Sequence, residues 1–528
     1  MHVLSTNLKR PGGGGLPNQK YHQNKRERER ERERERMEDY SPDENEVLLA
    51  DMPVSPSGQY FNSSMLSVSI LAVLESEVPL DNIPSMTLLQ DVFLPINPRF
   101  SSIMVGDTKG FKKWKRVEVK LEDHIKFPSL PSGMSPGFYD DYFNDYLSKI
   151  SLDQFPQNRP LWEVHILKYP TSNAAGHIIF KLHHALGDGF SLMGALLSCL
   201  QRADNPSLPL TFPSRESSSR RDGKSAKGIF RYVGRVFSGV ANTVSDIGLA
   251  LVKSSFLTDG RTPIRSGKDG VEFRPSTITT LTFCLDQIKQ IKAKLGVTIN
   301  DVVTGIIFLG TRLYMQSTSS SHDDRNQQQG NANATALVVL NTRAIGGYKT
   351  IGEMVKPDSE MPWGNHFTFL HVSIPKFSHN NGAFTDESNS SPIRFVRKAH
   401  TIIKRKRNSA AVYLTGRILE ILRKFRGHEA VARYIYNTLK NSSIGMSNLI
   451  GPVEQMALAN HPIKGLYFTL VGGPEGLTIT MISYVGKLRV TMRMEKGFMD
   501  SKKFNSCIEN AFDMIFQAAV QDAPPSNS

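Results

Sequence analysis

The sequence predicts a mixed α/β fold built in two large blocks, and three observations predict it. Stretches with the two-residue period of strands alternate with stretches of helical period along most of the chain after residue 53. A Ser-, Pro- and charge-rich stretch, 204–228, divides them. The 528 residues, 39 % hydrophobic and 22 % charged, match an ordinary globular protein with room for more than one core. That composition excludes a polytopic membrane protein, a fibrous chain and a wholly disordered one.

Residues 1–52 read as a charged, solvated tail: a run Gly12–Gly15 precedes the alternating Glu27–Arg36 tract, and no apolar stretch resembles a secretory signal. Met37 is an alternative start. The first block, 53–203, opens with a strand in Met65–Glu77 and a helix in Thr87–Phe100 stopped by prolines. Trp114–Phe127 alternates like a strand, and Phe138–Leu152 is an amphipathic helix. Arg159–Tyr169 and His177–His184 give two further strands. A linker over 204–270 contains the amphipathic stretch Phe230–Phe256, whose longest uncharged run, Val236–Ser245, is too short to cross a bilayer. It reads either as a helix lying in a membrane surface or as a buried, bridging one. The second block, 271–522, carries polar surface inserts at Gln316–Thr335 and Ser378–Ser391, and 523–528 is a short tail.

The net charge of +14 is unevenly placed. Residues 1–36 hold +5 and residues 394–440 hold +11, so the rest is close to neutral. Nucleic-acid binding is therefore not indicated, since its basic surface spreads through a domain among aromatic residues. The three cysteines, Cys199, Cys284 and Cys507, form no paired motif, which points to a reducing compartment.

The chemistry concentrates in Gly176–Leu200: a strand, the turn HHALGDG (His183–Gly189), and an apolar helix from Phe190. Gly187 and Gly189 permit an unusual backbone path there. Asp188 can cap the helix or orient the turn through a buried ion pair. A neutral imidazole near pH 7 is the natural base for an alcohol proton, and it can return that proton to a leaving thiolate. There is no GxSxG nucleophile motif and no metal-ligand spacing. Direct attack by a bound nucleophile fits, without a covalent intermediate or a metal. Adjacent histidines at a strand end can equally be structural, one buried and one exposed.

The whole HHxxxDG string on a strand–turn–helix resembles the signature of the CoA-dependent acyltransferase superfamily. Pro53–Ser64, Asn158–Leu167, Gly296–Val303, Asn341–Ile345, Trp363–Pro375, Met446–Phe468 and Gly476–Met492 together resemble the plant branch of the bifunctional wax ester synthase/diacylglycerol acyltransferases. The resemblance runs from about Val54 to Val520, and the DFGWG box of the plant BAHD enzymes is absent.

That resemblance implies two chloramphenicol-acetyltransferase-like domains with a substrate tunnel between them. Acyl-CoA is a substrate, no cofactor is needed, and the acceptor is a long-chain alcohol or diacylglycerol. His184 would be the catalytic proton acceptor, His183 supporting, Asp188 structural, and Gly189 would keep the turn open. Pro160, Leu161 and Trp162 would pack the turn's strand. Asn300 and Asp301 either cap a helix or stand near the site, Asn365 and Asn448–Gly451 would shape the tunnel, and Arg343 would pair with an unidentified buried carboxylate. The basic segment reads as two solvated amphipathic helices, with Ile393, Phe395, Val396, Ile402 and Ile403 in the first and Val412–Phe425 as the second. Its other reading is contact with anionic lipid headgroups or the phosphates of CoA. Peripheral attachment to the cytosolic face of the endoplasmic reticulum is expected, with the plasma membrane as a second location in the family. The rival functions are acyl transfer to a soluble phenolic or amine and non-catalytic lipid binding at a membrane.

Overall fold

The computed structural model describes residues 52–80, 85–108, 110–211, 257–319, 330–343, 362–377, 391–407 and 411–521, with Gly248 and Ser409 besides. The expected tail up to Asp51, the stretch Phe230–Phe256 apart from Gly248, half of the first polar insert and nearly all of the second, and the tail 523–528 lie outside the described residues.

In chain order the first half supplies helix α1 (Pro56–Phe61), strand β1 (Ser69–Ser76), the hairpin β2 (Ser102–Gly106) and β3 (Lys112–Arg116), short β4 (Ile125–Lys126), α2 (Pro136–Leu152), β5 (Trp162–Leu167), β6 (Gly176–His183), α3 (Gly189–Ser198) and β7 (Gln201–Arg202). The second half supplies β8 (Ser276–Cys284), α4 (Leu285–Leu295), α5 (Ile299–Ser319), β9 (Thr335–Asn341), β10 (Phe367–Ser373), α6 (Ile393–Arg407) and α7 (Ala411–Lys440). It continues with β11 (Ile444–Ile450), β12 (Met456–Leu458), β13 (His461–Val471), β14 (Leu477–Tyr484), β15 (Lys487–Glu495) and α8 (Ser501–Phe516).

Two large sheets result, ordered β4-β5-β6-β1-β13-β12-β7 and β10-β9-β11-β14-β15-β8. The α/β expectation is met. The division into 53–203 and 271–522, however, does not divide the sheets: β12 and β13 leave the second half and complete the first sheet. The reason is pairing. β1 is flanked antiparallel by β6 on one side and by β13 on the other, so every residue of β1 is buried and neither edge is left open. Arg489 of β15 donates to Glu75 of β1, tying the two sheets together.

Two expected elements break where local chemistry forbids continuity. The helix expected over Thr87–Phe100 widens into a π turn at Leu89–Phe93 and ends in a 3-10 turn at Pro98–Ser101. Pro95 has no N–H to return to the carbonyl of Asp91, so the ladder slips there. Trp114–Phe127 divides into β3, a helical turn at Leu121–His124 and β4. Leu121 and His124, three apart, are the pair that turn buries.

α2 buries Tyr139, Phe143, Leu147 and Ile150, an apolar stripe of helical period. Leu161 and Trp162 are buried as expected, and the Trp162 indole donates to the Phe100 carbonyl at 2.8 Å. In the basic segment, α6 buries Phe395, Val396, Ala399 and Ile403, encloses Lys406 as well, and leaves Arg397, Lys404, Arg405 and Arg407 exposed. α7 runs far beyond Phe425 but is broken at Gly427, whose φ of 79° and ψ of −179° suit only glycine.

Candidate active site

β6 delivers the histidines to the seam between the halves. The His183 N–H donates to the Leu161 carbonyl at 3.0 Å and the His184 N–H to the Val68 carbonyl at 2.8 Å. The turn that follows is pinned through the carbonyl of Leu186, which accepts from Arg99 Nη1 at 3.0 Å and from Trp363 Nε1 at 2.8 Å. α3 then starts with Asp188 as its cap, Oδ1 accepting from the Ser191 N–H at 3.0 Å.

His184 is clamped by Asn365. Its Nδ1 lies 2.8 Å from Asn365 Oδ1, while Asn365 Nδ2 donates to the His184 carbonyl at 2.9 Å. The second bond fixes which end of the amide is oxygen, so Nδ1 carries the proton and Nε2 keeps its lone pair. Burial depresses the pKa of this imidazole, opposed by the Asp188 charge and the Asn365 hydrogen bond. The ring is therefore neutral at pH 7. The aromatic rings of Phe61 and Phe367 lie against it, with centroids at 4.6 and 5.5 Å.

His183 has the opposite character. Its Nδ1 accepts from the Ala185 N–H at 3.1 Å, which makes Nε2 the donor to Ser67 Oγ at 3.2 Å. Both nitrogens are occupied, and burial, with lesser repulsion from His184, Lys112 and Lys181, holds its pKa down at about 3. His183 supports the turn.

Asp188 fulfils both expectations at once: it caps α3 and forms the buried ion pair. Arg343 Nη1 reaches its Oδ2 at 2.7 Å and Nη2 its Oδ1 at 3.1 Å, and the His366 N–H adds a third donor at 2.9 Å. Burial pushes this carboxyl upward, but the guanidinium and the backbone donors outweigh it and hold the pKa low. With four hydrogen bonds its acceptor sites are filled, so its role is to fix the turn. The carboxylate awaiting Arg343 is thus Asp188.

The glycines of the turn need correction. Neither Gly187 nor Gly189 has positive φ. Their constraint is space: a Cβ on Gly187 would stand 3.0 Å from the Ser191 Cβ, and one on Gly189 3.3 Å from Leu449. The positive φ, +129°, belongs to Gly364 across the seam, whose carbonyl accepts from the Asp188 N–H, Ser191 Oγ and Arg343 Nη2.

Asn365, expected to shape the tunnel or bind substrate, holds the His184 ring through its two hydrogen bonds. Asp301 is a cap, accepting from the Thr298 N–H at 2.9 Å while its own N–H returns to Thr298 Oγ1 at 3.2 Å, and it also meets His400. Asn300 accepts from Asn448 Nδ2 at 3.2 Å, next to the Leu449 that packs on Gly189. Asn300 thereby joins the strand whose Leu449 packs on the turn. Sequence reasoning missed Ser67 and Arg99, for which neither spacing nor composition gave a signal, and did not single out Phe61 or Gly364 within the stretches Pro53–Ser64 and Trp363–Pro375. Trp363, Gly364 and Asn365 stand together at the start of Trp363–Pro375, but nothing local says that this stretch meets a turn so distant in the chain.

The buried neutral histidines make stability depend on pH. His183 and His177, the latter lowered to about 4 by burial, sit below their unfolded value near 6.5. Between those values the unfolded chain binds protons that the folded one does not. Stability is thus complete above about pH 6.5 and is lost by about 1.4 kcal/mol per histidine per pH unit as the pH falls through that window. Denaturant midpoints measured from pH 7 to pH 5 should fall steadily for the wild type and less steeply for His177→Phe.

The comparisons with known proteins converge on one family. The wax ester synthase/diacylglycerol acyltransferase catalytic domain matches residues 80–303, and the C-terminal domain of the same family matches 363–516. HHALGDG lies in the first span, and Trp363–Asn365 opens the second. Wax ester synthase/diacylglycerol acyltransferase 4 of Arabidopsis thaliana is 30 % identical over 469 residues, 86 % of each chain. The Arabidopsis relative numbered 11 is 27 % identical over 89 % of this chain and 95 % of its own. Among solved structures, the wax ester synthase/diacylglycerol acyltransferase of Marinobacter aquaeolei VT8 superposes with a TM-score of 0.53 at 15 % identity, covering 89 % of this chain and all of the other, and shares the fold. On the two domain matches and the relatives spanning most of its length, this chain belongs to the wax ester synthase/diacylglycerol acyltransferase family.

Proposed function

We propose that the protein transfers a long-chain acyl group from acyl-CoA to a lipid hydroxyl, giving a wax ester from a long-chain alcohol or triacylglycerol from diacylglycerol. Its relatives carry those two activities in their names. The observation that carries the mechanism is the Asn365 clamp, which leaves Nε2 of a neutral His184 as the acceptor.

Nε2 takes the hydroxyl proton as the oxygen attacks the thioester carbonyl. The C–O bond forms, the C–S bond breaks, and the imidazolium returns its proton to the CoA thiolate. Asp188, held by Arg343, keeps the turn rigid while the proton moves, and the apolar surroundings of Phe61 and Phe367 suit an acyl chain or a lipid acceptor. The reaction needs no cofactor beyond its acyl-CoA substrate. Both substrates are amphiphiles, so the working location is a membrane surface, reached from the cytosolic face of the endoplasmic reticulum or the plasma membrane. The net +11 over residues 394–440 supports that reading.

The test is an acceptor panel with labelled palmitoyl-CoA: hexadecanol, diacylglycerol, a phenolic alcohol and a polyamine. Ester formation with the first two supports the assignment, and turnover confined to the phenolic or polyamine overturns it. Within the same assay, Asn365→Ala should lower kcat on the order of 100-fold with little change in KM for acyl-CoA. Its acid limb should move to lower pH, because the bond lost is one that favours the charged imidazole.

A further inference from the structure

The outer face of the first half of α7 exposes Leu414, Ile421 and Phe425 by 42, 55 and 82 %. They stand at i, i+7 and i+11, and so form one stripe along the helix. Single exposed apolar side chains are ordinary, but a stripe ending in an almost fully solvated phenylalanine is not. Arg417, Arg423, Lys424 and Arg426 accompany it, against the single acid Glu420, a net of +3 over Ala411–Arg426. Glu420 lies 3.7 Å from Arg417 and 3.9 Å from Lys424, and both cations remain largely exposed. The neighbouring β2–β3 hairpin adds Phe111, 44 % exposed, whose ring meets His428 edge-on at 5.1 Å, just past the break at Gly427.

The inner face of the same helix half leads to the site. Leu419 and Leu422 pack on a cluster that contains Tyr60, Phe61, Val431 and Ile435, with Phe367 against it. Phe61 and Phe367 are the rings on His184, which is itself only 6 % exposed. One half-helix therefore has a basic, apolar outer face and an inner face continuous with the base. At its end lies Gly427, a backbone conformation that side chains avoid.

We propose that the half-helix Ala411–Arg426 seats the enzyme on an anionic bilayer, and that the lipid acceptor reaches His184 from that bilayer through the apolar cluster beneath it. The proposal rests on the acyl-transfer reading above. A basic rim around large apolar side chains is the chemistry of an interfacial helix. A second copy docking symmetrically through the same stripe would set the cations of one copy against those of the other.

The full chain is floated with vesicles of phosphatidylcholine alone and with roughly 30 mol % phosphatidylserine. Ile421→Ser/Phe425→Ser should reduce vesicle binding on the order of ten-fold or more on both. Arg417→Glu/Lys424→Glu should abolish only the gain from phosphatidylserine. Turnover of hexadecanol presented in vesicles should fall in step with binding, while turnover of dissolved butanol stays within about two-fold, which also shows that the variants are folded. Undiminished flotation of the serine variant overturns the seat, as does a wild-type protein that ignores vesicles but self-associates through these residues. Lost flotation with undiminished hexadecanol turnover overturns the route. If the wild type acylates no acceptor at all, the acyl-transfer reading fails, whereas the flotation result still decides the seat.

Discussion

Arg343→Met is expected to destabilise the protein by about 3–5 kcal/mol, the cost of stranding a buried carboxylate. Arg343 is enclosed, pairs with Asp188 through two hydrogen bonds at 2.7 and 3.1 Å, and also donates to the carbonyls of Pro362 and Gly364 and to Ser191 Oγ. Truncation leaves these five acceptors, and the Asn341 Oδ1 that lies 3.4 Å from Nη1, short of a donor in a buried site. The loss should appear as a drop in Tm of roughly 3–5 °C and as a reduced kcat, since the turn that carries His184 loses its anchor. Adding Asp188→Asn should recover at least half of the stability, because asparagine still caps α3 and no charge is left unpaired. A single variant that melts within a degree or two of wild type would show that the pair is incidental.

His184→Ala is the second large effect, and it falls on chemistry. A positioned general base contributes on the order of 10² to 10⁴ in rate, so kcat should fall by about 10³. Stability should change much less than for Arg343→Met, because a neutral ring leaves no buried charge behind. His184→Gln is the sharper variant: its amide keeps polar atoms near Asn365 but has no basic nitrogen. The wild-type pH profile carries the same prediction. The imidazole must be neutral to act, and burial lowers its pKa, so the acid limb of kcat lies below the ordinary histidine value near 6.5. Activity is therefore flat above that value and falls as the pH drops below it.

The turn was readable in the sequence because local chemistry writes it: a strand period ends at His183, a helix period begins at Phe190, and Asp188 stands at the capping position between them. What completes the turn was not readable. Asn365 and Arg343 lie 181 and 155 residues from the groups they bind, and no local pattern encodes such a pairing. Arg343 could be marked as needing a buried carboxylate, but Asp188 could not be named. The glycines misled for a related reason. A glycine in a turn suggests positive φ, yet Gly187 and Gly189 are small because Ser191 and Leu449 crowd them. The sheet that β13 joins was not readable, because β13 is apolar along most of its length and such a strand reads alike whichever sheet it joins. Burial of α6's inner face followed its helical period directly; the exposure of Phe425 on α7 did not, since period alone does not say which apolar face finds a partner.

The proton transfer on which the proposed function turns runs from the acceptor's hydroxyl to Nε2 of His184 as the acyl group leaves acyl-CoA. Its most direct measurement is product formation from labelled palmitoyl-CoA and hexadecanol or diacylglycerol by wild type and His184→Gln, at matched folded concentration and pH 7.5. Labelled wax ester or triacylglycerol is expected from the wild type and a rate lower by about 10³ in the variant, with acyl-CoA still bound. Comparable rates from the two proteins would contradict it.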